Sequence, residues 1–288
     1  MELKYRDGTS RQVSGSQQRV LSFLYGTAFG RLLLRPLVCR WPSRLVGWFM
    51  SRKVSCLLIE PFIRSNDIDM SQFEQTSYKS YNDFFTRKIK SGARVMDMAP
   101  DHLISPCDSK LTVLPVTEDG TFTIKHTSYT MSSLLQDEAL ARRYCGGWLL
   151  IFRLSVEDYH RYCYPMDGTV FGQKHIPGRF HTVMPISNDY YPVYKENTRE
   201  YCVLDTEYFG EAIMMEVGAL MVGKIVNYPV EGPVKRGQEK GKFQFGGSTI
   251  VMALKKDCVT IDEDLLSNSA GGYETVVKYG EKIGQSKV

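Results

Sequence analysis

From Leu103 onward the chain is a succession of short β-favouring runs, KLTVLPV, TFTIKH, WLLIFRL, YCVLDTEYF, AIMMEVGALMVGKIVNY and STIVMALKK, separated by Gly, Pro, Asp and Asn. Runs of that length between turn residues predict a β-dominated domain. The residues before them read differently. Pro36, Pro42 and Pro61 divide the N-terminal third into short helices, and residues 78–89 (YKSYNDFFTRKI) predict another helix with an apolar ring of Tyr81, Phe84 and Phe85. The expected fold is therefore α+β, with a helical region over residues 1–75 and a β-rich domain over residues 76–288. With 43% apolar residues in 288, the chain can bury a sizeable core.

Two segments of the β-rich part resemble each other. VKRGQEKG (234–241) and VKYGEKIG (277–284) share V-K-x-G-x-x-x-G at an offset of 43 residues, too few copies for a solenoid. Their glycines suit hairpin turns that need positive φ. Such hairpins occur in biotinyl- and lipoyl-carrier-like barrels, so a barrel or sandwich-hybrid arrangement is expected for the domain, and a carrier or interaction module is a rival reading. The lysine that those carriers present at a hairpin tip is missing.

Charge is unevenly spread. Residues 8–59 contain no Asp or Glu but eight basic residues, Arg11, Arg19, Arg31, Arg35, Arg40, Arg44, Arg52 and Lys53, so with a net charge of +4 the remainder is net acidic. The same stretch is rich in Leu, Phe, Tyr and Trp, and no apolar run in it approaches the ~20 residues of a membrane-spanning helix. Short amphipathic helices of this composition predict attachment to an anionic lipid surface through residues 8–59. Nucleic acid is not expected, because the bulky aliphatics between the arginines would be left exposed on a phosphate-tracking surface. The first 17 residues are polar, so no signal peptide is expected. Seven dispersed cysteines without a C-x-x-C pair predict a reducing compartment, free thiols and no structural metal.

The chemistry centres on two places. In KFQFGGSTIVMAL (242–254) two glycines and a Ser-Thr pair interrupt an apolar strand, where glycine marks a bulge or a close backbone approach. In RLSVEDYHRYCYPMDG (153–168), His160 has Asp158 two residues before it and Arg161 beside it, so a strand or tight turn would bring imidazole and carboxylate together. The other histidines are His102, His126, His175 and His181. No G-x-S-x-G elbow, P-loop, dinucleotide fingerprint or H-E-x-x-H motif occurs. A serine after a flexible glycine can instead attack the preceding carbonyl. The ester so formed can undergo β-elimination, which cuts the chain and leaves a pyruvoyl group.

FGGSTIVMALKKD resembles the cleavage motif of the phosphatidylserine decarboxylase family. FFTRKI, LISPCDSKLTVL, IKHTSYTMSSLL and RLSVEDYHRYCYP follow the family's order and rough spacing, so the resemblance spans about residues 78 to 284. It implies cleavage between Gly247 and Ser248, giving a β fragment that ends at Gly247 and a 41-residue α fragment headed by a pyruvoyl group made from Ser248. It implies that Asp108 belongs to a self-processing Asp-His-Ser triad, that His160 serves decarboxylation, and that Asp158 is the acid just before it. The family reads D-Y-H-R-x-H-x-P and its second histidine is the triad base; here that position is Cys163. A cysteine needs a cationic neighbour to act as a base. Arg161 or His160 are candidates for that neighbour, and His160, His175 or His181 are candidates for taking over the role.

The resemblance further implies that a covalent pyruvoyl carbonyl condenses with the substrate amine and takes up the electrons left when CO₂ departs, so that neither pyridoxal phosphate nor a metal is required. His160, held by Asp158, would return the proton to the α-carbon. Phosphatidylserine converted to phosphatidylethanolamine at the cytoplasmic face of a membrane by a peripheral enzyme is the expected activity, with the two fragments as each other's partners and a homodimer left open. The rivals are a soluble amino-acid decarboxylase of the same superfamily and an unprocessed, non-enzymatic membrane-binding homologue.

Overall fold

The computed structural model describes residues 2–12, 16–124, 127–219, 224–228, 231–246 and 248–287. Its centre is a ten-stranded sheet in the order Gly232–Val234, Gly168–Ile176, Arg199–Thr206, Gly210–Val217, Ser248–Leu254, Trp148–Leu154, Ser109–Pro115, Glu274–Val277, Glu2–Tyr5, Ser10–Gln12. Neighbours run antiparallel except Glu2–Tyr5, which lies parallel to Glu274–Val277. The apolar runs become strands because both faces of the sheet are covered. Along Ser248–Leu254 every residue is buried; Ile250, Met252 and Leu254 enter one core, while Val251 and Ala253 enter the other. The first core lies beneath two three-stranded sheets, and the second beneath the Thr121–Ile124/Thr127–Thr130 hairpin and the helices Met131–Leu135 and Glu138–Arg142.

The α+β expectation holds, whereas the barrel does not form. The large sheet has two ends, Gly232–Val234 and Ser10–Gln12, and no sheet closes among the described residues. The repeated V-K-x-G-x-x-x-G segments also do something other than make hairpins. In each copy the strand before the turn belongs to the large sheet and the strand after it, Glu239–Phe243 or Lys282–Ser286, is the middle strand of a separate three-stranded sheet. Each of those middle strands is bulged on one side, against Arg161–Cys163 in one copy and His102–Ile104 in the other. The turns themselves do use positive φ, at Gly237 (73°) and Gly280 (82°), and both glycines pack on Met96. The repeat is thus a pair of equivalent corners where the chain changes sheet.

Four short helices precede the β-rich part: α1 (Ser16–Gly26), α2 (Ala28–Leu37), α3 (Arg40–Met50) and α4 (Ile59–Asn66). The Thr27 hydroxyl caps α2 by accepting from Gly30 N. Pro42 and Pro61 sit in first turns, where a missing N–H leaves no gap in the ladder, and Pro36 sits in the last turn of α2. Tyr25, Leu34 and Val38 form a small core, but Phe29, Leu32, Trp41, Leu45 and Trp48 are exposed. Among the described residues no helix is long and apolar enough to cross a membrane. The helical region starts only at Ser16, since Glu2–Tyr5 and Ser10–Gln12 belong to the large sheet.

The predicted helix over 78–89 is reduced to α5 (Tyr81–Phe85). Ser80 caps it by accepting from Asp83 N, Thr86 Oγ1 donates back to the Asn82 carbonyl, and by Ile89 the chain is extended and bridges to Phe73. The apolar ring nevertheless forms: Tyr81, Phe84 and Phe85 pack with Ile59 of α4.

Candidate active site

Ser248 opens the strand that carries it. Thr249 pairs with Val217 on one side and Ser248 with Leu154 on the other. Strand alternation puts the Ser248 side chain on the face of Ile250 and Met252, in the layer beneath the sheet formed by Ile225–Asn227, Glu239–Phe243 and Arg161–Cys163. Its hydroxyl is fully buried and has no hydrogen-bond partner among the described residues. Such an atom calls for an explanation, because an unsatisfied buried hydroxyl opposes folding by about 1–3 kcal/mol. Gly246 has φ = 133°, a conformation reserved for glycine. Gly247, the expected donor of the attacked carbonyl, lies outside the described residues.

His160 stands in the same layer, directly before the Arg161–Cys163 strand. Its carbonyl accepts from Phe243 N, and its ring is stacked on Phe85 at 3.9 Å. Nε2 lies 3.0 Å from the Ser155 carbonyl, the residue after Leu154, which pairs with Ser248. A carbonyl can only accept, so Nε2 carries the proton and Nδ1 presents a bare lone pair. That Nδ1 is buried and unpartnered. Burial, with the nearby Arg87 charge, lowers the imidazole to about 3, so the ring is neutral at physiological pH.

Asp158 does not hold this imidazole. It accepts from Lys110 Nζ at 2.6 Å and from Ser155 N at 2.7 Å, and Glu157 meets the same ammonium at 3.1 Å. The expected orienting role passes to the Ser155 carbonyl, and Asp158 acts on His160 by fixing the 155–158 turn. Asp108 is buried at the second repeat corner, where Arg94 grips both its oxygens (2.9 and 3.3 Å) and Tyr279 N donates to it at 2.8 Å. Cys163 is buried with its thiol donating to the Pro106 carbonyl at 3.7 Å, beside the Tyr279 hydroxyl, which donates to the Gly237 carbonyl at 3.2 Å. Burial pushes the thiol up to about 12. Neither expected cation serves it, since Arg161 is committed to Glu239 (2.6 Å) and the Thr86 carbonyl (2.8 Å) and His160 is neutral, and the charge of Arg236 nearby does not offset the burial. Cys163 is therefore a protonated, packed thiol.

The remaining histidines are elsewhere. His175 is half exposed and faces Glu200, His181 is buried between Tyr25 and Tyr191, His102 contacts Asp97, and His126 lies outside the described residues. Sequence reasoning missed three contributors to the site: Phe85 as the plate under His160, Phe245 against Phe85 and Tyr81 (5.5 and 5.2 Å), and Arg87, whose guanidinium is sandwiched by Phe73 and Phe84. The motif FFTRKI held the signal for two of them, but a basic residue after an aromatic pair reads equally well as a solvated helix end.

Among the described residues of this α+β fold, the Ser248 hydroxyl and the His160 Nδ1 are both buried without a hydrogen-bond partner, and the Leu154–Ser155 strand end links them, Leu154 by pairing with Ser248 and Ser155 by accepting from His160. The family model for phosphatidylserine decarboxylase matches residues 81–285. The chain is 50% identical over 267 residues to phosphatidylserine decarboxylase proenzyme 2 of Clostridium acetobutylicum (92% of this chain, 91% of the relative). It is 40% identical over 279 residues to the phosphatidylserine decarboxylase proenzyme of Ruminiclostridium cellulolyticum (95% and 92%) and 38% identical over 275 to that of Fusobacterium nucleatum (93% and 91%). The chain belongs to the phosphatidylserine decarboxylase family.

Proposed function

We propose that the chain is a self-processing phosphatidylserine decarboxylase, a carboxy-lyase whose pyruvoyl group is made from Ser248. The observation that carries this is the buried, unpartnered Ser248 hydroxyl at a strand start preceded by glycines. In the first step the hydroxyl gives its proton to a base and attacks the Gly247 carbonyl, and as the C–O bond forms the C–N bond breaks with the base passing that proton to the leaving nitrogen of residue 248. Removal of the α-proton of residue 248 by a base then expels Gly247 as a carboxylate, and the dehydroalanine left at position 248 tautomerises to an imine that water hydrolyses, leaving the water oxygen as the ketone and releasing ammonia. The neutral Nδ1 of His160 is the base we assign, since Cys163 is protonated. Asp108 supports the step through the corner it holds.

The pyruvoyl group supplies the electron sink for loss of CO₂. Around it His160 Nδ1 takes a proton from the substrate ammonium and returns one to the α-carbon after CO₂ has left, while the Phe85 and Phe245 rings keep water from the imidazole. The arginine-flanked apolar face of α2 and α3 favours a lipid over a soluble amino acid and suits a peripheral protein at the cytoplasmic membrane face. The test is intact mass and a denaturing gel on the wild type and on Ser248→Ala, Cys163→Ala and His160→Ala. The wild type and Cys163→Ala should yield a 41-residue fragment with a blocked N-terminus and release CO₂ from phosphatidylserine; the other two should remain single chains. A wild type that stays whole overturns the reading.

A further inference from the structure

The chemistry above leaves one buried charge unused. Arg87 is 1% exposed. Other buried arginines are satisfied: Arg153 forks onto Glu274 (Nε to Oε1 2.8 Å), Arg161 pairs with Glu239, and Arg199, which has no acid, donates four bonds of 2.7–3.1 Å to the carbonyls of Ser133, Leu134, Lys195 and Asn197. Arg87 has neither arrangement. No carboxylate pairs with it among the described residues, its two contacts to carbonyls, Phe84 and Glu157, are long at 3.4 and 3.3 Å, and its Nε bonds nothing. Phe73 and Phe84 cover its faces at 4.4 and 4.8 Å, which leaves the donor edge as the unsatisfied side. A guanidinium desolvated without a counter-ion opposes folding, so its partner is to be sought in a ligand.

Its position says which ligand. Arg87 donates to the Glu157 carbonyl and His160 to the Ser155 carbonyl, so both address one turn, and the ring next to Phe84 in sequence, Phe85, is the plate beneath His160. We propose that Arg87 binds the phosphodiester of the substrate headgroup while His160 serves its amino-acid end, an inference that rests on the functional reading above. The carboxylate is the wrong partner. An arginine paired with it would stabilise the ground state and oppose departure of CO₂, whereas a phosphodiester keeps its charge throughout. Phe245, which packs over Phe85 and Tyr81, stands three residues before Ser248, so processing turns the segment that carries it into a chain end.

The test uses the full-length processed enzyme with water-soluble dihexanoyl phosphatidylserine, comparing Arg87→Gln and Arg87→Lys with the wild type after cutting has been checked by intact mass. Arg87→Gln should raise KM about tenfold or more, the scale of one lost charge-assisted bond, with a far smaller change in kcat; Arg87→Lys should fall between. Glycerophosphoethanolamine should inhibit the wild type competitively, ethanolamine should not, and the inhibition should vanish in Arg87→Gln. A loss confined to kcat, or a wild type indifferent to glycerophosphoethanolamine, overturns the assignment. If Arg87→Gln is not cut, Arg87→Lys and the wild-type competition decide it. A wild type that is uncut or inactive on phosphatidylserine removes the functional reading itself, which separates that failure from an error about Arg87 alone.

Discussion

Asp108 and Asp167 occupy equivalent corners of the fold. Each follows a proline by two residues, and each accepts from the backbone N–H just before a repeat glycine: Asp108 from Tyr279 at 2.8 Å, Asp167 from Arg236 at 2.7 Å. Their prolines are exchanged, with Cys163 N donating to the Pro106 carbonyl and Ile104 N to that of Pro165. Only Asp108 is buried and clamped by Arg94. Asp108→Ala and Asp167→Ala should therefore each lose about 1 kcal/mol of corner hydrogen bonding in urea unfolding, while Asp108→Ala alone also strands Arg94 and stops cutting, read by intact mass. Equal cutting by the two variants would reduce Asp108 to a structural role. The sequence marked Asp108 only through family resemblance, and its duplicate was hidden because the aspartates are 59 residues apart while the glycine turns are 43 apart. For Cys163 the substituted position was legible, but the burial that makes its thiol inert was not, because it depends on Pro106 and Tyr279 arriving from distant segments.

At the scale of elements, the N-terminal helices were the most legible part, because proline positions and apolar spacing are local. What they pack against is not local: Tyr25 of α1 meets His181 and Tyr191, more than 150 residues further along the chain. The strand Glu2–Tyr5 escaped notice for the same reason, since its partner Glu274–Val277 is some 270 residues away and lies parallel. The apolar side chains that α2 and α3 leave in solvent make a prediction that separates surface from core. Replacing Phe29, Trp41 and Trp48, which are 62%, 63% and 56% exposed, by Ser should abolish flotation with anionic phospholipid vesicles. The urea midpoint should barely move, because exposed substitutions change stability by about 0.5 kcal/mol or less. A triple variant that floats like the wild type would remove this face as the membrane contact.

For the whole molecule, strand existence was readable from the β-rich runs, but sheet closure was not, since it depends on the order in which remote strands pair. Global stability should carry the signature of two imidazoles buried neutral. Burial lowers His160 to about 3 and His181 to about 4 from an ordinary 6.5. Below pH 6.5 the unfolded chain takes up protons that the native chain refuses, so each contributes stability that is full above that pH and lost as the pH falls toward the folded value. The loss amounts to about 1.4 kcal/mol per pH unit for each at the steepest. Urea unfolding at pH 7 and pH 5 reads it, and equal midpoints would contradict the neutral assignment. The position of Ser248 has one more consequence. The strand it begins is laddered on both sides in mid-sheet, and Arg6, at the far end of the chain, grips Asp262, Asp264 and Glu281 beyond the cut. A prosthetic group made there would be neither lost by dissociation nor replaced by soaking, because removing it means dismantling the sheet. Each molecule would load itself once, and an active site damaged in service could be renewed only by synthesising another chain.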